Sequence, residues 1–301
     1  MKQLASILLL AIALIAISGC AGERTPVVAD PSTLKSGNWL VIVNSITSTS
    51  DLYPQNRHFR GTIEATSNAA SADLALSGEQ SANCFPDRLV LSGSISGNTV
   101  TLTPVPNDSD LTITATVKPG GILLGTYKCT SQGAGADNGT VYATNIPFIS
   151  GVWSGTLPES VSQWVPSPSG GGTISTTNYT IGVAATIVQS STPAPSNSSH
   201  IPPYSFALAG SVILTNSACF NSGSSTLTID PTQSYINGEQ VFISAASADG
   251  TEGFTWGTSQ RPISLDDPTT AASMNNPSNF GAFSDACRFD TYYSASLTKP
   301  S

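Results

Sequence analysis

The chain has 301 residues, 11 Lys and Arg against 19 Asp and Glu, and a formal net charge of −8. Charged residues make up only 10% of it and no basic run occurs, which excludes the clustered cations that displace counterions from a nucleic-acid backbone. The length has room for two domains of ordinary size, each able to bury its own core. Short Thr, Val, Ile and Leu runs between Gly, Pro and Asn clusters read as all-β structure, because branched side chains suit a pleated surface and turn residues interrupt it.

Residues 1–19 read as a signal peptide. Lys2 gives a short positive start, and residues 4–17 are apolar but shorter than a bilayer span. The run ends in Ile17-Ser18-Gly19-Cys20, which resembles the lipobox of bacterial lipoproteins. The resemblance implies cleavage before Cys20, a diacylglycerol thioether on its sulfur and an acylated amino group. Several acyl chains together anchor a protein stably where one binds reversibly. Ala21 stands where an Asp would retain a Gram-negative lipoprotein at the inner membrane, so the resemblance further implies the outer membrane of such an envelope. Residues 20–36 carry Pro26 and Pro31 and no apolar period, and read as a lipidated tether.

The rest reads as one unit used twice, a first β domain over 37–148 and a second over 149–301. Gly37-Asn-Trp39 opens the first and Gly151-Val-Trp153 the second. In the first unit, strand patterns fall at 39–47, 59–66, 73–77, 88–95, 99–105, 111–117, 122–128 and 140–146. Ser96-Gly97-Asn98 supplies the clearest hairpin turn, since Gly and Asn accept positive φ. That is about eight strands with mostly short connections, an up-and-down meander. In the second unit, Ser217-Ala-Cys-Phe220 answers Ala82-Asn-Cys-Phe85, and Ile236-Asn-Gly-Glu answers Ile95-Ser-Gly-Asn. These matches run in one order.

With Cys20 assigned to the lipid, Cys84, Cys129, Cys219 and Cys287 remain. Four thiols in an exported chain indicate two disulfides with three pairings open. The repeat favours Cys84–Cys129 and Cys219–Cys287, one in each unit, over cross-unit pairing. The absence of C-x-x-C argues against a thioredoxin-like site or a zinc knuckle.

The second unit adds segments 158–178, 189–203 and 261–280, all polar and rich in Pro, Ser and Asn, which read as long loops. Loops on a rigid β scaffold are where binding concentrates, yet lengthening a surface loop also costs little closure entropy. Trp164 lies in the first of these segments and is the candidate binding residue, an exposed aromatic anchor. Catalytic and metal chemistry finds little support. His58 and His200 fall in different units and read as surface histidines. No G-x-S-x-G elbow occurs, and the acidic group Asp266, Asp267, Asp285 and Asp290 lacks a calcium-loop pattern. No catalytic, cofactor or metal residue is assigned.

Each Gly-x-Trp, with the strand count and unit length, resembles the opening of lipocalins and other calycins. That family's meander closes as an eight-stranded barrel with the Trp plugging one end. The resemblance implies two tandem antiparallel lipocalin-like barrels, each with a disulfide, and a small apolar ligand inside. An eight-stranded barrel can equally be filled by its own side chains. The expectation is therefore a non-enzymatic cell-envelope lipoprotein, held to the membrane by its N-terminal lipid, that binds a small ligand or a protein partner. A purely structural or interaction module is the alternative, and a hydrolase ranks last. Cys20→Ser is expected to abolish lipidation and leave an uncleaved precursor or a protein in the soluble fraction. Membrane fractionation with mass spectrometry of the N-terminus checks this.

Overall fold

The computed structural model describes residues 33–46, 56–77, 84–106, 110–130, 136–194, 201–217, 220, 223–257, 263–264, 273–276, 279–283, 288–291 and 295–299. Cys20, the tether as far as residue 32, His200, Cys219, Cys287, Asp266, Asp267 and Asp285 lie outside them. The described residues form only strands, turns and irregular segments, and every strand pairing among them is antiparallel.

The first eight strands are β1 (Gly37–Ser45), β2 (Asn56–Ala65), β3 (Ala69–Leu76), β4 (Arg88–Ser96), β5 (Thr99–Pro104), β6 (Thr112–Lys118), β7 (Ile122–Cys129) and β8 (Asp137–Asn145). Each pairs with its neighbours in the chain, and β1 pairs with β8 from Trp39↔Asn145 to Ser45↔Gly139, closing a barrel. The strands alternate because successive side chains point to opposite faces. In β6, Ile113, Ala115 and Val117 are buried while Thr112 and Thr114 are exposed. Trp39, Val41, Phe59, Leu74, Leu91 and Tyr127 belong to the same inner cluster. The anticipated meander and the Cys84–Cys129 disulfide are both present.

The chain then crosses Ile146 to Ser150 and enters β9 (Gly151–Pro166), β10 (Gly172–Pro193), β11 (Phe206–Thr215), β12 (Ser224–Ile229), β13 (Tyr235–Asn237), β14 (Gln240–Ala246) and β15 (Gly253–Gly257). Five short strands follow: β16 (Ile263–Ser264), β17 (Ser273–Asn276), β18 (Asn279–Phe283), β19 (Arg288–Thr291) and β20 (Ala295–Thr298). They form a 12-stranded sheet in the order β16-β17-β20-β9-β10-β11-β12-β14-β15-β18-β19, with β13 pairing β11 and β14. Two tandem barrels were expected; the first unit is a closed barrel, and the described strands of the second are a sheet. The difference arises in the last third of that unit, where the described strands are short pieces. The pieces nevertheless share a register. Ser273↔Thr298 and Asn276↔Ala295 belong to β17 and β20, and Phe280↔Thr291 and Phe283↔Arg288 continue the same count along β18 and β19.

Local geometry recurs between the units. The Trp39 indole N–H donates to the Lys35 carbonyl at 3.0 Å and that of Trp153 to the Ile149 carbonyl at 2.7 Å, four residues back in each case. Both indoles are fully buried, and the glycines two residues before them share φ of 138° and 136°.

The barrel and the sheet are packed together through the outer side of β1. Trp39, Val41 and Val43 point into the barrel, whereas Leu40 belongs to the core of the second unit and Ile42 packs against it. Asn38, buried to 2%, clamps the β13–β14 turn: its Nδ2 donates to the Gly238 carbonyl at 2.7 Å and its Oδ1 accepts from the Gly238 N–H at 2.7 Å. Gly238 has φ +54° and lies against the Arg60 side chain, so a Cβ there would be strained and crowded. Arg60 also faces Glu239 at 3.5 Å. Beside this clamp Arg88 binds Asp73 through two hydrogen bonds, 3.0 and 2.8 Å, and its guanidinium lies 4.8 Å from the Tyr204 ring centre. Breaking one side of a buried pair leaves the other unsatisfied, at a cost of about 1–3 kcal/mol. Asn38→Ala is expected to lower stability by about that amount, measured by urea unfolding, with the Cys84–Cys129 bond intact.

Candidate functional site

The barrel interior is the first place a small ligand would sit. It is lined by apolar side chains including Val41, Leu74, Leu91, Leu102, Ile113 and Leu123, and the space left among them is about 20 Å³. That is near the room one water needs, and an apolar void of this kind stays dry. The interior is a packed core.

The end of the barrel opposite Trp39 is also filled. Phe85, beside the disulfide, packs 5.8 Å from Phe59 and edge-on at 4.9 Å from Tyr127. The Arg57 guanidinium, itself buried, lies 5.5 Å from the Phe85 ring centre. The Tyr127 hydroxyl donates to Asp137 Oδ2 at 3.0 Å, and the Ser45 hydroxyl donates to Oδ1 at 2.6 Å. Burial pushes the Tyr127 hydroxyl well above its ordinary pKa, with Asp137 adding to the shift and Ser45 and Arg57 opposing it. It stays a neutral donor at physiological pH, and the group is a polar plug rather than an opening. A concavity of about 690 Å³ lies at Ser36, Glu64, Thr66, Ala69, Ser71 and Ser92, lined by small side chains with Glu64 as its charged member.

The most exposed construction is the β9–β10 hairpin. The two strands pair without a break from Gly151↔Ile187 to Gly172↔Pro166. Among the described residues, β20 accompanies β9 only between Ser154 and Thr156, and β11 accompanies β10 only from Gly182 onward. Beyond the buried Leu157 and Ile181, the strands run on as a two-stranded ribbon, roughly 30 Å long at 3.4 Å per residue. Val165 is 48% and Ile174 70% exposed near its tip, and the turn at Gly170 and Gly171 uses φ of 85° and 83°. From residue 160 to residue 229 the chain holds no Asp, Glu, Lys or Arg.

Two of the supposed long loops are corrected by these strands. Segment 158–178 is mainly paired backbone, because the peptide groups of its Thr-rich β10 half are satisfied by residues 161–166 of β9 across the ribbon. Gln189, taken as the start of a loop, is a buried member of β10 whose Oε1 accepts from the Ile149 N–H at 3.0 Å. Ile201, Tyr204 and Ser205 are buried too, and Tyr204 meets Arg88 of the barrel. Of the segment 261–280, Ile263–Ser264 and Ser273–Asn276 are strands and 279–280 open β18.

Trp164 lies on β9 near the ribbon tip, opposite Ile174. His58 lies on β2 opposite Ile42, and Trp256 is fully buried in the second core. Asp290 lies on β19 opposite Gly281. Among the described residues no three His, Cys, Asp or Glu side chains are gathered where a metal ion could be held. Asn38 and Gly238 were not singled out in the sequence. The only hint was that Asn38 departs from the Val152 found at the same place in the repeat. No protein-family model, curated protein or solved structure matches this chain.

Leu91 borders the 20 Å³ void and is 1% exposed. Leu91→Ala is expected to cost about 3–5 kcal/mol and to open a dry cavity. Xenon or benzene binding followed by NMR should then appear in the variant and be absent from the parent.

Proposed function

We propose that this chain is a non-enzymatic envelope lipoprotein, anchored through Cys20, whose folded part is an interaction scaffold and whose β9–β10 ribbon makes the contact. The observation that carries this reading is the ribbon itself: a strand pair projecting past the described sheet, uncharged from residue 160 onward, with Ile174 and Val165 in solvent. The packed barrel supports it from the other side, because a carrier of apolar ligands needs an internal volume and about 20 Å³ is too small for one. Placement at the outer membrane follows from the lipobox and from Ala21.

The same reading takes the second unit as a second barrel. Pairs in β17, β18, β19 and β20 lie in one running register, and β20 also pairs with β9 at Leu297↔Gly155. With β19 on β18 and β20 on β9, these two strands would close the sheet as β8 closes the first barrel. A Cys219–Cys287 bond then corresponds to Cys84–Cys129.

Site-specific photo-crosslinking tests the functional proposal. A photoreactive residue replacing Ile174 in the intact protein, in cells, should give discrete protein adducts. The same residue replacing Leu124, 43% exposed on the barrel, should not. Adducts from Leu124 with none from Ile174 would move the contact to the barrel wall.

A further inference from the structure

We propose that the ribbon's β10 edge, Gly172 to Ile181, pairs antiparallel with the same edge of a second copy of this chain. The result would be a four-stranded ribbon across a two-fold axis. This deepens the assignment of the ribbon as the contact element and rests on it.

The two edges of the ribbon differ in what they would accept. The β9 edge carries Pro158 and Pro166, with Glu159 between them. Proline lacks an N–H, and proline and charge are the residues that guard exposed strands against further pairing. The β10 edge reads Gly-Thr-Ile-Ser-Thr-Thr-Asn-Tyr-Thr-Ile from 172 to 181, with neither proline nor charge and with six Thr or Ile. Among the described residues, β10 pairs with β11 only from Gly182 onward, and over this stretch its strand partner is β9. Asn216 marks the boundary: its Nδ2 donates to the Thr180 carbonyl at 2.8 Å, taking the place of the next β11 residue. That bond also sets the phase. In an antiparallel strand a residue's N–H and C=O point to the same side, so the peptide groups of Asn178 and Ile174 face outward as those of Thr180 do.

Charge selects a second copy as the occupant. Each chain carries −8, so two copies repel over most of their surfaces. The stretch from residue 160 to residue 229 has no Asp, Glu, Lys or Arg, which makes the β10 edge, with Glu159 on the other strand, a place where copies meet without like charges directly opposed. An antiparallel strand laid against itself also makes each contact twice, and Thr, Ser and Asn serve as donor and acceptor alike. A two-stranded ribbon with no core beneath it is marginal in water, and a second ribbon alongside satisfies peptide groups on the β10 edge.

Sedimentation velocity of the full chain in detergent tests the proposal over a wide concentration range. The expected result is a monomer–dimer equilibrium whose dissociation constant rises at least about tenfold in Ile174→Lys, which brings a charge from each copy to the shared edge. Ile174→Pro should have the same effect by removing an outward N–H. Val165→Lys on the proline-bearing strand should leave the constant within about twofold. Equal melting temperatures for parent and Ile174→Lys show that the fold is retained. A parent that stays monomeric at every concentration overturns the proposal, as does a dimer indifferent to both Ile174 variants. A monomeric parent that still gives adducts from position 174 to other proteins would leave the contact role standing and remove the self-pairing.

Discussion

β1 is buried on both faces, and the arrangement of the whole molecule depends on that. Its inward side chains, Trp39, Val41 and Val43, are part of the barrel core, while Leu40 and Ile42 join the core of the second unit. A strand with one face in water alternates, and one covered on both sides reads as a continuous apolar run. Trp-Leu-Val-Ile-Val is such a run. Apolar contact alone has little directional preference, so Leu40 and Ile42 account for adhesion but not for position. Position comes from Asn38, whose two hydrogen bonds to Gly238 accept one backbone alignment, and from Arg60 on β2 and Arg88 on β4.

Much of the first unit was legible because its physics is local. Alternation in 111–117 and the Gly97 turn each involve near neighbours and gave the strands and their order, while the repeat, with two Cys in each unit, gave the Cys84–Cys129 bond. The ribbon was missed because alternation records a buried face, and most of this hairpin has none. Ser, Pro and Gly at 166–172 read as loop, and they do form the turn, but the flanks, Thr-rich on the β10 side, are strands that among the described residues pair with each other. Trp164 was chosen as an aromatic in a polar segment. The segment proved to be the projecting one, and Ile174 across from it, which drew no notice, is the residue seen to be exposed.

The docking of the two units was illegible for a different reason. Asn38 and Gly238 are separated by 200 residues. An Asn between Gly and Trp carries no sign of its partner, and Asn-Gly in a hairpin is accounted for by its own turn. Tyr204 likewise sits in a Pro-rich segment that composition assigns to solvent, and its burial depends on Arg88 at the start of β4.

The sequence separation of the clamp bears on the order in which the molecule forms. Apart from β1 with β8, every barrel pairing joins strands that are consecutive in the chain, so most of the barrel can assemble by successive short closures. The link from Asn38 to Gly238 closes a far longer loop and is made once both partners have largely formed. Interactions absent from the folding transition state leave the folding rate almost unchanged and act on the rate of escape from the native state. The clamp is thus a latch on unfolding. A slow escape rate prolongs the lifetime of each folded copy.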